Sequence, residues 1–474
     1  MKRFRLFVFA LAVQITLCAL PQQGAQTTPV RVSHPNILFI LADDLGAESS
    51  SLYPGLYNPA AASGHGQAAT PTLSSLAARG IVFDTVWANP LCSPTRGALL
   101  SGLYGHNTGV TTVGNILPGS TTSIFELISG AKLQPSYNMA VFGKWHLGGG
   151  GAAGINHVVN ETGVPLYKGF LGSHIMNYYN WTLDSSTGPS TNTTVYSTTL
   201  LTNFAIDFIR GQKEGQPWFL YLPYNAPHGT APYDGFQVPP KGLFTVDVGG
   251  RPAGDPKIYN GDIPVYQAII QALDSEIGRL FRAMEQAGQL DNTVIIFMGD
   301  NGTPAPVKDG ASRIRGSKGS VYEGGVRVPL MFAGPGVTRK NGRDAHLITD
   351  SDIYATIADL AGVTLKDNTI NNSYSVVPLL SSGQASTGRK YSFTELCANT
   401  GAGSKQFAIR DERYKLLYNG QAWEMFDLQN DPWERTDLYL SAPHANARVT
   451  LLREVAALKM KAATMGCFVA IPAE

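Results

Sequence analysis

The sequence of 474 residues has few charged residues, no excess of either sign and only 4 cysteines. Charged residues make up 15% of the chain and hydrophobic residues 43%, which excludes a disordered protein and favours a globular one. Because 36 lysines and arginines balance 35 aspartates and glutamates, we expect neither a surface for nucleic acid nor a polybasic membrane anchor. After the N-terminus no apolar run is long enough to span a bilayer, so we expect no stable membrane insertion.

The N-terminus has the pattern of a secretory signal peptide. Residues 1–26 begin with the basic "MKRFR", continue with the apolar "LFVFALAVQITLCAL" and end with small residues in "PQQGAQ". We expect their removal and export of the protein to a periplasm or the extracellular space, or to a lysosome in a eukaryote. An uncleaved anchor is the alternative, although the apolar run is short for one. Lipidation at Cys18 is disfavoured because Leu17 is bulky.

Removal of the signal peptide leaves three cysteines, Cys92, Cys397 and Cys467. In an oxidising compartment two of them can pair, and we expect Cys397 to pair with Cys467 because both lie late in the chain. Cys92 is then unpaired. It stands shortly before Pro94 and Arg96, a setting that a structural thiol does not require.

Apolar runs alternate with segments of helical spacing. The runs "NILFILA", "MAVFGK", "WFLYLPY" and "NTVIIFMG" are typical of buried strands, whereas residues 70–80 and 264–290 have helical spacing. This alternation predicts an α/β fold, with helices on both faces of a sheet. We predict a main, catalytic domain over residues 27–370 and a smaller antiparallel α+β subdomain over residues 371–474. Residues 148–200, with weak periodicity, are predicted to form long loops over the site.

Polar side chains collect where the predicted strands end. Open α/β sheets bind their ligands at the carboxyl ends of the strands, so we expect these side chains to meet at one edge of the sheet. They are Asp43, Asp44, Lys144, His146, His228, Asp300 and Asn301.

The segment "CSPTRGALLSG" (residues 92–102) resembles the C-x-P-[ST]-R signature of the formylglycine-dependent, arylsulfatase-like sulfatases. The segments "GKWHLG", "NAPH", "GDNG" and "SKGSVYEGGVRVP" extend the resemblance over nearly the whole mature chain. It implies the fold of the alkaline phosphatase superfamily, with a large mixed, mostly parallel sheet flanked by helices, and the activity of a sulfuric ester hydrolase. It also implies that a formylglycine-generating enzyme oxidises Cys92 to 3-oxoalanine (formylglycine), which is hydrated to a gem-diol.

A gem-diol suits this reaction because it carries two hydroxyls on one carbon. One hydroxyl can attack the sulfur of a sulfate ester, and loss of a proton from the other lets the aldehyde re-form and expel sulfate. An unmodified serine or cysteine has no second hydroxyl for that release. Pro94 suits a first helical turn, and Arg96, on the same helix face as Cys92, can hydrogen-bond the diol. The alternative is an ordinary free cysteine near a helix start.

The resemblance also implies a bound metal ion. Its ligands are the oxygens of four side chains at two strand ends, together with the oxygen formed at residue 92. Oxygen ligands suit Ca²⁺, and Mg²⁺ less well, and such an ion would lower the pKa of the hydroxyl and polarise the sulfate. The alternative for consecutive aspartates is a helix cap or an exposed turn. The four side chains are those of Asp43, Asp44, Asp300 and Asn301.

Four further residues receive roles from the resemblance. Lys144 orients the diol, and His146 takes a proton from its second hydroxyl during sulfate release. His228 and Lys318 contact the bridging oxygen of the ester and assist departure of the alcohol.

Other residues near these motifs have alternative roles. His106 is expected to pack or hydrogen-bond locally, and Glu323 to brace the loop that carries Lys318. Three aromatic residues in a region that resembles the substrate-side loops of the family can either stack on a sugar or aryl ring or pack their own loop. They are Tyr178, Tyr179 and Trp181.

These observations favour hydrolysis of a sulfate ester of a carbohydrate or an aryl alcohol. A phosphonate monoester or phosphodiester hydrolase with the same site is the first alternative. The second is a non-catalytic binder of sulfated glycans in which Cys92 remains a thiol. The sequence leaves open whether the protein forms a homo-oligomer.

Overall fold

The computed structural model describes residues 34–58, 65–230, 235–255, 261–365, 372–397, 405–462 and 467–472. The predicted signal peptide, Cys18 and the predicted domain boundary between residues 370 and 371 lie outside these ranges and remain predictions. Among the described residues, no helix combines the length and the apolar composition that crossing a membrane requires.

Strands and helices alternate through most of the chain. The strands are β1 (Asn36–Asp43), β2 (Gly80–Phe83), β3 (Val86–Trp87), β4 (Asn138–Lys144), β5 (Tyr167–Phe170), β6 (Trp181–Ser185), β7 (Thr191–Thr193), β8 (Trp218–Pro227), β9 (Thr293–Gly299), β10 (Leu330–Ala333), β11 (Gly342–Asp344), β12 (Ile348–Thr349), β13 (Ser392–Cys397), β14 (Lys405–Arg410), β15 (Tyr414–Tyr418) and β16 (Trp423–Asp427). The helices are α1 (Pro71–Ala78), α2 (Cys92–Ser101), α3 (Gly105–Thr108), α4 (Ile124–Gly130), α5 (Gly151–Asn156), α6 (Ser197–Arg210), α7 (Ile263–Gln286), α8 (Glu323–Val326), α9 (Asp352–Leu360), α10 (Val377–Ser381) and α11 (Ala445–Lys461).

A large sheet dominates the described part of the chain. It has ten strands in the order β11–β2–β10–β9–β1–β8–β4–β5–β6–β7. The five strands from β9 to β5 are parallel neighbours, whereas β10 is antiparallel to β2 and β9, and β6 is antiparallel to β5 and β7. This confirms the predicted mixed, mostly parallel sheet.

The centre of the sheet is covered on both faces. Every residue of β1, β8 and β9 is buried, as expected for parallel strands with helices on either side. Leu38 and Ile40 pack with α6 and α7 on one face, whereas Ile37, Phe39 and Leu41 pack with α2, α4 and α9 on the other. Because both faces are apolar, the polar residues of these strands are confined to the strand ends.

The C-terminal strands β13 to β16 form a separate antiparallel sheet in sequence order. Helix α11 packs on this sheet through Leu451 and Val455, and the hydroxyl of Thr394 in β13 donates to the carbonyl of Ala88 (3.1 Å). The antiparallel α+β arrangement predicted for this region is confirmed.

Cysteine pairing also follows the prediction. Cys397 and Cys467 form a disulfide with a Cα–Cα distance of 5.1 Å and a sequence separation of 70. Cys92 is buried and is the free cysteine of the described residues.

The prediction of long loops over residues 148–200 is wrong. This segment contains α5, β5, β6, β7 and the start of α6. β5 pairs with β4, and β6 and β7 extend the sheet beyond it. These short strands carry few apolar residues, so hydrogen bonds to a neighbouring strand define them rather than a period in the sequence.

Candidate active site

The carboxyl ends of four adjacent parallel strands form the candidate site. Asp43 is the last residue of β1 and Lys144 the last of β4, while His228 and Asp300 directly follow β8 and β9. These ends lie side by side because the strands are neighbours in the order β9–β1–β8–β4. The predicted site residues are buried, except for Lys318, whose side chain is 19% exposed.

Helix α2 adds Cys92 and Arg96 to these strand ends. The helix begins at Cys92, and all ten of its residues are buried. Arg96 Nη1 donates to the carbonyl of Lys144 (2.9 Å) and Nη2 donates to Asp300 Oδ2 (2.9 Å). Its Nε has no hydrogen-bond partner among the described residues. Arg96 therefore links α2 to the ends of β4 and β9, and its Nε–H is left for a bound group.

Asp44 interrupts the regular alternation of side chains along β1. Its φ is 66°, in the left-handed region that aspartate adopts more readily than most residues. In an extended strand the side chains of Asp43 and Asp44 would point to opposite faces. The turn instead brings both carboxylates and the His228 ring within 4.8 Å of one another. The backbone N–H of Asp44 donates to Asp300 Oδ1 (3.0 Å) and supports this turn.

The oxygen atoms at this edge fit a hard cation. Ligand atoms of Asp43, Asp300 and Cys92 also lie within 4.8 Å of one another. Asp43 Oδ1 and Asn301 Oδ1 are buried and lack a hydrogen-bond partner in the described part of the chain. A buried oxygen without a partner is unfavourable, and a divalent cation is a partner that carboxylate and amide oxygens prefer. The donor set therefore suits Ca²⁺ or Mg²⁺.

Each of three carboxylates in the site has a different cationic side chain as its nearest ionic partner, and Arg96 also lies 3.7 Å from Asp43. The formal charges of these six groups cancel, so a bound divalent cation would give the cluster the positive charge needed to hold an anion. The pairs are Asp43 with Lys144 (2.6 Å), Asp44 with Lys318 (2.7 Å) and Asp300 with Arg96 (2.9 Å).

Two carboxyl groups of this cluster, those of Asp44 and Asp300, differ in acidity. Burial, with the nearby charge of Asp43, raises the pKa of Asp300 to about 7. Burial also acts to raise the pKa of Asp44, but His228 and Lys318 offset it, and the net pKa of Asp44 is lowered. A cation bound beside Asp300 would favour its ionised form.

His228 faces the cluster through one ring nitrogen. Its Nδ1 lies 2.7 Å from the carbonyl of Gly229 and must donate to it, so Nε2 is the acceptor that faces Lys318 Nζ at 3.1 Å. Burial, helped by Lys318 and Lys144, lowers the pKa of His228 to about 3. His228 is therefore a neutral imidazole at physiological pH.

His146 has a different environment. Its φ is 60°, its Nδ1 is buried without a hydrogen-bond partner among the described residues, and its carbonyl accepts from Ser93 Oγ (3.1 Å). Burial, together with the charges of Lys144 and Arg96, lowers its pKa. A neutral imidazole with an unused nitrogen can accept a proton.

Cys92 is not activated as a thiolate in this site. Burial raises the pKa of its thiol, and Asp43 and Asp300 act in the same direction, against Lys144 and Lys318. The thiolate is the nucleophilic form of cysteine. Unmodified Cys92 therefore has little nucleophilic character at neutral pH.

Two residues beside the site were not identified from the sequence. Tyr266 of α7 is buried and donates its hydroxyl to the carbonyl of Asp44 (2.7 Å). His174 stacks on His228, with ring centroids 5.7 Å apart and planes 13° apart. A tyrosine in a buried helix and a lone histidine in a polar segment carry no distinctive sequence signal.

Several residues for which the sequence left two roles open make contacts within the protein. Tyr178 and Trp181 are 0% and 3% exposed, so they pack the protein interior and cannot stack on a substrate ring. His106 packs against Tyr104, as expected, and its Nδ1 lies 2.8 Å from Oε1 of Glu395, a residue distant in the sequence. Glu323 Oε1 accepts from Trp87 Nε1 (3.0 Å) and pairs with Lys415, so its side chain links β3 to the C-terminal sheet, and bracing of the loop that carries Lys318 stays a prediction.

The sequence matches two family models. Residues 35–363 match the model described as sulfatase, and residues 317–461 match the model described as N-sulphoglucosamine sulphohydrolase, C-terminal. Together they span both sheets.

Individual proteins with similar sequences have related names. A sulfatase of Formosa agariphila is 26% identical, with 94% of this chain and 90% of that protein aligned. An N-acetylglucosamine-6-O-sulfatase of Bacteroides thetaiotaomicron is 23% identical over 93% and 88%. Human arylsulfatase A is 27% identical over 84% and 77%.

Solved structures show the same architecture. The crystal structure of Ps i-CgsB in complex with k-i-k-neocarrahexaose has a TM-score of 0.74 and 26% identity, covering 92% of this chain and 95% of that one. A phosphonate monoester hydrolase of Agrobacterium radiobacter shares the fold, with a TM-score of 0.64 and 20% identity over 90% and 96%.

Proposed function

Since the chain belongs to the sulfatase family and is a sulfuric ester hydrolase, we propose that it releases sulfate from a sulfated carbohydrate. We further propose that Cys92 is converted to formylglycine by a formylglycine-generating enzyme, and that the site binds Ca²⁺. The protein is proposed to be exported, in line with the N-terminal pattern of the sequence.

The observation that carries this proposal is the position of Cys92 beside oxygens that lack partners. Its sulfur and the carboxylates of Asp43 and Asp300 lie within 4.8 Å of one another. Asp43 Oδ1 and Asn301 Oδ1 are buried and unpartnered among the described residues. A purely structural cysteine would not account for these oxygens, whereas a cation next to a reactive residue does.

Four side chains would hold the cation, namely Asp43, Asp44, Asp300 and Asn301. A cage built from protein oxygens favours Ca²⁺, because Mg²⁺ usually retains several waters. When bound, the cation would lower the pKa of a neighbouring hydroxyl and polarise the sulfate group.

The remaining site residues would neutralise negative charge and transfer protons. Lys144 and Arg96 are held at the buried side of the site and can neutralise and orient the group at residue 92. His146 Nδ1 would accept the proton that is lost when sulfate is released, because this atom has no partner in the described structure. Lys318, which already donates towards His228 Nε2 (3.1 Å), would donate to the oxygen of the departing alcohol.

The relatives support a carbohydrate as the alcohol. Among them are an N-acetylglucosamine-6-O-sulfatase and an N-acetylgalactosamine-6-sulfatase, and one similar crystal structure contains a neocarrahexaose. We therefore propose a sulfated sugar as the substrate class.

The test compares reaction classes on the mature enzyme. We expect kcat/KM for 4-nitrophenyl sulfate to exceed that for the matching phosphodiester and phosphonate monoester, and we expect sulfate release from a sugar panel. The panel is N-acetylglucosamine 6-sulfate, N-acetylgalactosamine 6-sulfate and a sulfated neocarrahexaose. Faster turnover of the phosphorus esters, or turnover of the aryl ester with none of the panel, would contradict the proposed substrate class.

Peptide mass spectrometry across Cys92 tests the modification. We expect the mass of a residue whose –CH2SH side chain has become –CHO, when the host contains a formylglycine-generating enzyme. Full activity in a sample whose residue 92 is entirely an intact thiol would refute the formylglycine proposal.

A further inference from the structure

The segment that follows β5 connects the two histidines of the site. We call residues 171–178 the bridging loop. At its start the backbone N–H of His146 donates to the carbonyl of Leu171 (3.1 Å), and at its end Tyr178 Oη donates to the carbonyl of His228 (2.7 Å). β5 is parallel to β4, so the loop leaves the sheet at the same edge as the site residues. Its two ends are therefore fixed to the site.

The middle of the bridging loop carries a partly exposed polar ring. His174 stacks on His228 at a centroid distance of 5.7 Å, and its Nδ1 lies 2.9 Å from Ser173 Oγ. His174 is partly exposed, unlike the buried His228 beneath it, and Met176 is 63% exposed. The loop thus presents side chains to solvent directly beside His228, whose Nε2 lies 3.1 Å from Lys318, the residue that we assign to alcohol departure.

The direction of ester cleavage places the alcohol near this ring. In the proposed reaction the attack comes from residue 92, and the leaving oxygen lies roughly in line with the attacking one, on the far side of the sulfur. In the proposed function Lys318, whose Nζ lies 3.1 Å from His228 Nε2, donates to that leaving oxygen. The carbon skeleton of the alcohol must then extend past these two residues towards solvent, where His174 lies.

We infer that His174 is a specificity-determining residue whose imidazole hydrogen-bonds a hydroxyl of the sugar that carries the sulfate ester. The inference rests on the proposed function and adds to it a contact on the sugar side of the bond. A sugar ring offers several hydroxyls, and each imidazole nitrogen can donate or accept one hydrogen bond. A contact of this kind would select a carbohydrate over an alcohol without hydroxyls.

The test separates hydrogen bonding from stacking. His174→Phe keeps a flat ring against His228 but cannot hydrogen-bond, His174→Gln keeps polar atoms without the ring, and His174→Ala removes both. The matched control is His444→Ala, which deletes another partly exposed imidazole that lies 5.7 Å from an aromatic ring, that of Tyr414, in the C-terminal region. All proteins are full-length and carry formylglycine.

The measured quantities are kcat and KM for each panel sugar that the wild type turns over, and the inhibition constant of inorganic sulfate. We expect the ratio of sugar KM to sulfate inhibition constant to rise about tenfold in His174→Phe and His174→Ala. A change of this size corresponds to the loss of roughly one hydrogen bond to the sugar. The rise in KM should exceed the fall in kcat. His174→Gln should recover most of the wild-type ratio, and His444→Ala should retain all of it.

Two outcomes would overturn the inference. One is an unchanged ratio of sugar KM to sulfate inhibition constant in all His174 variants. The other is a ratio that stays at the wild-type value in His174→Phe and rises only in His174→Ala, because the ring would then merely support His228. Absence of turnover for every panel sugar in the wild type would instead contradict the proposed function itself.

Discussion

Two buried clusters of opposite charges in the described part of the chain can be compared, one at the carboxyl edge of the large sheet and one beneath the C-terminal sheet. In the second cluster, Lys415 of β15 pairs with Glu323 (3.1 Å) and Glu434 (2.7 Å), and its ammonium lies 4.6 Å from the centre of the Trp87 ring. Both clusters also contain a carboxyl group with a raised pKa. Burial raises the pKa of Glu434 to about 7, as it does for Asp300 in the first cluster.

The clusters differ in whether their buried polar atoms have hydrogen-bonding or ionic partners. Lys415 is enclosed by two glutamates and an aromatic ring, with no exposed side-chain surface. Glu434 Oε1 makes no hydrogen bond among the described residues, but it lies 2.7 Å from the Lys415 ammonium and is satisfied by that ion pair. The site cluster leaves Asp43 Oδ1 and Asn301 Oδ1 without partners among the described residues and includes Lys318, which is 19% exposed. A raised carboxyl pKa therefore does not distinguish a functional cluster from a structural one, whereas unpartnered oxygens next to an opening do.

Replacement of Cys92 tests the site cluster directly. We expect Cys92→Ala to lower kcat/KM by at least ~10⁴-fold, because the precursor of the proposed nucleophile is lost. The fold should persist, since a small buried side chain is replaced by a smaller one. Steady-state kinetics and circular dichroism measure both properties, and activity near the wild-type level would exclude the assigned role.

Replacement of Lys415 tests the structural cluster. Lys415→Met leaves Glu323 and Glu434 buried without their cation, and we expect the free energy of unfolding to fall by about 3–5 kcal/mol. The loss should be the same with and without added Ca²⁺, and kcat of the folded enzyme should change little. Urea denaturation and kinetics below the transition provide the measurements.

Lys144→Met is the matched change in the site cluster. Here we expect a fall in kcat, and a cost in stability that shrinks when Ca²⁺ is added, since the ion can compensate Asp43. Identical responses to Ca²⁺ in Lys144→Met and Lys415→Met would remove the distinction between the clusters.

The disulfide stabilises the C-terminal region in another way. We expect Cys397→Ser combined with Cys467→Ser to lower the free energy of unfolding by about 2–4 kcal/mol, because a closed loop in the unfolded chain is lost. Thermal unfolding of the oxidised wild type and the double variant measures the effect. Wild-type protein under reducing conditions should match the variant, and a mismatch would point to damage from the serines.

Removal of the cation should affect the site cluster alone. At Ca²⁺ concentrations about 100 times the dissociation constant, the ion contributes about 2.7 kcal/mol, so EGTA should lower both stability and activity. Calorimetric Tm values with EGTA and with Ca²⁺ restored measure this contribution. Asn301→Ala should abolish most of the change in Tm on chelation, whereas the disulfide variant should keep it. A wild-type Tm and activity that do not respond to EGTA would count against the proposed cation site.

The central strands and the signature were predictable because each has a strong local signal. β1, β8 and β9 are buried over their whole length, so their sequences are continuous apolar runs. The polar residues that follow such runs must share one edge of a parallel sheet, which is why the site residues could be grouped before any geometry was known. Cys92 and Arg96 stand out because their motif is unusual in composition.

Other features depend on tertiary contacts that leave little trace in the sequence. β7 has the sequence "TNT" and exists because β6 lies beside it. His174 is one histidine among 9, and only the stacking on His228 singles it out. Tyr178 seemed equally suited to a sugar and to a core until its complete burial settled the question.

The left-handed backbone at Asp44 has a consequence for mutagenesis. Asp44 turns the chain directly after β1 and is a proposed oxygen ligand, so most substitutions there would disturb the chain path and the proposed chemistry together. Asparagine tolerates the same φ as aspartate and keeps one carbonyl oxygen. Asp44→Asn is therefore the exchange that isolates the contribution of a single negative charge, with the path of the main chain held constant.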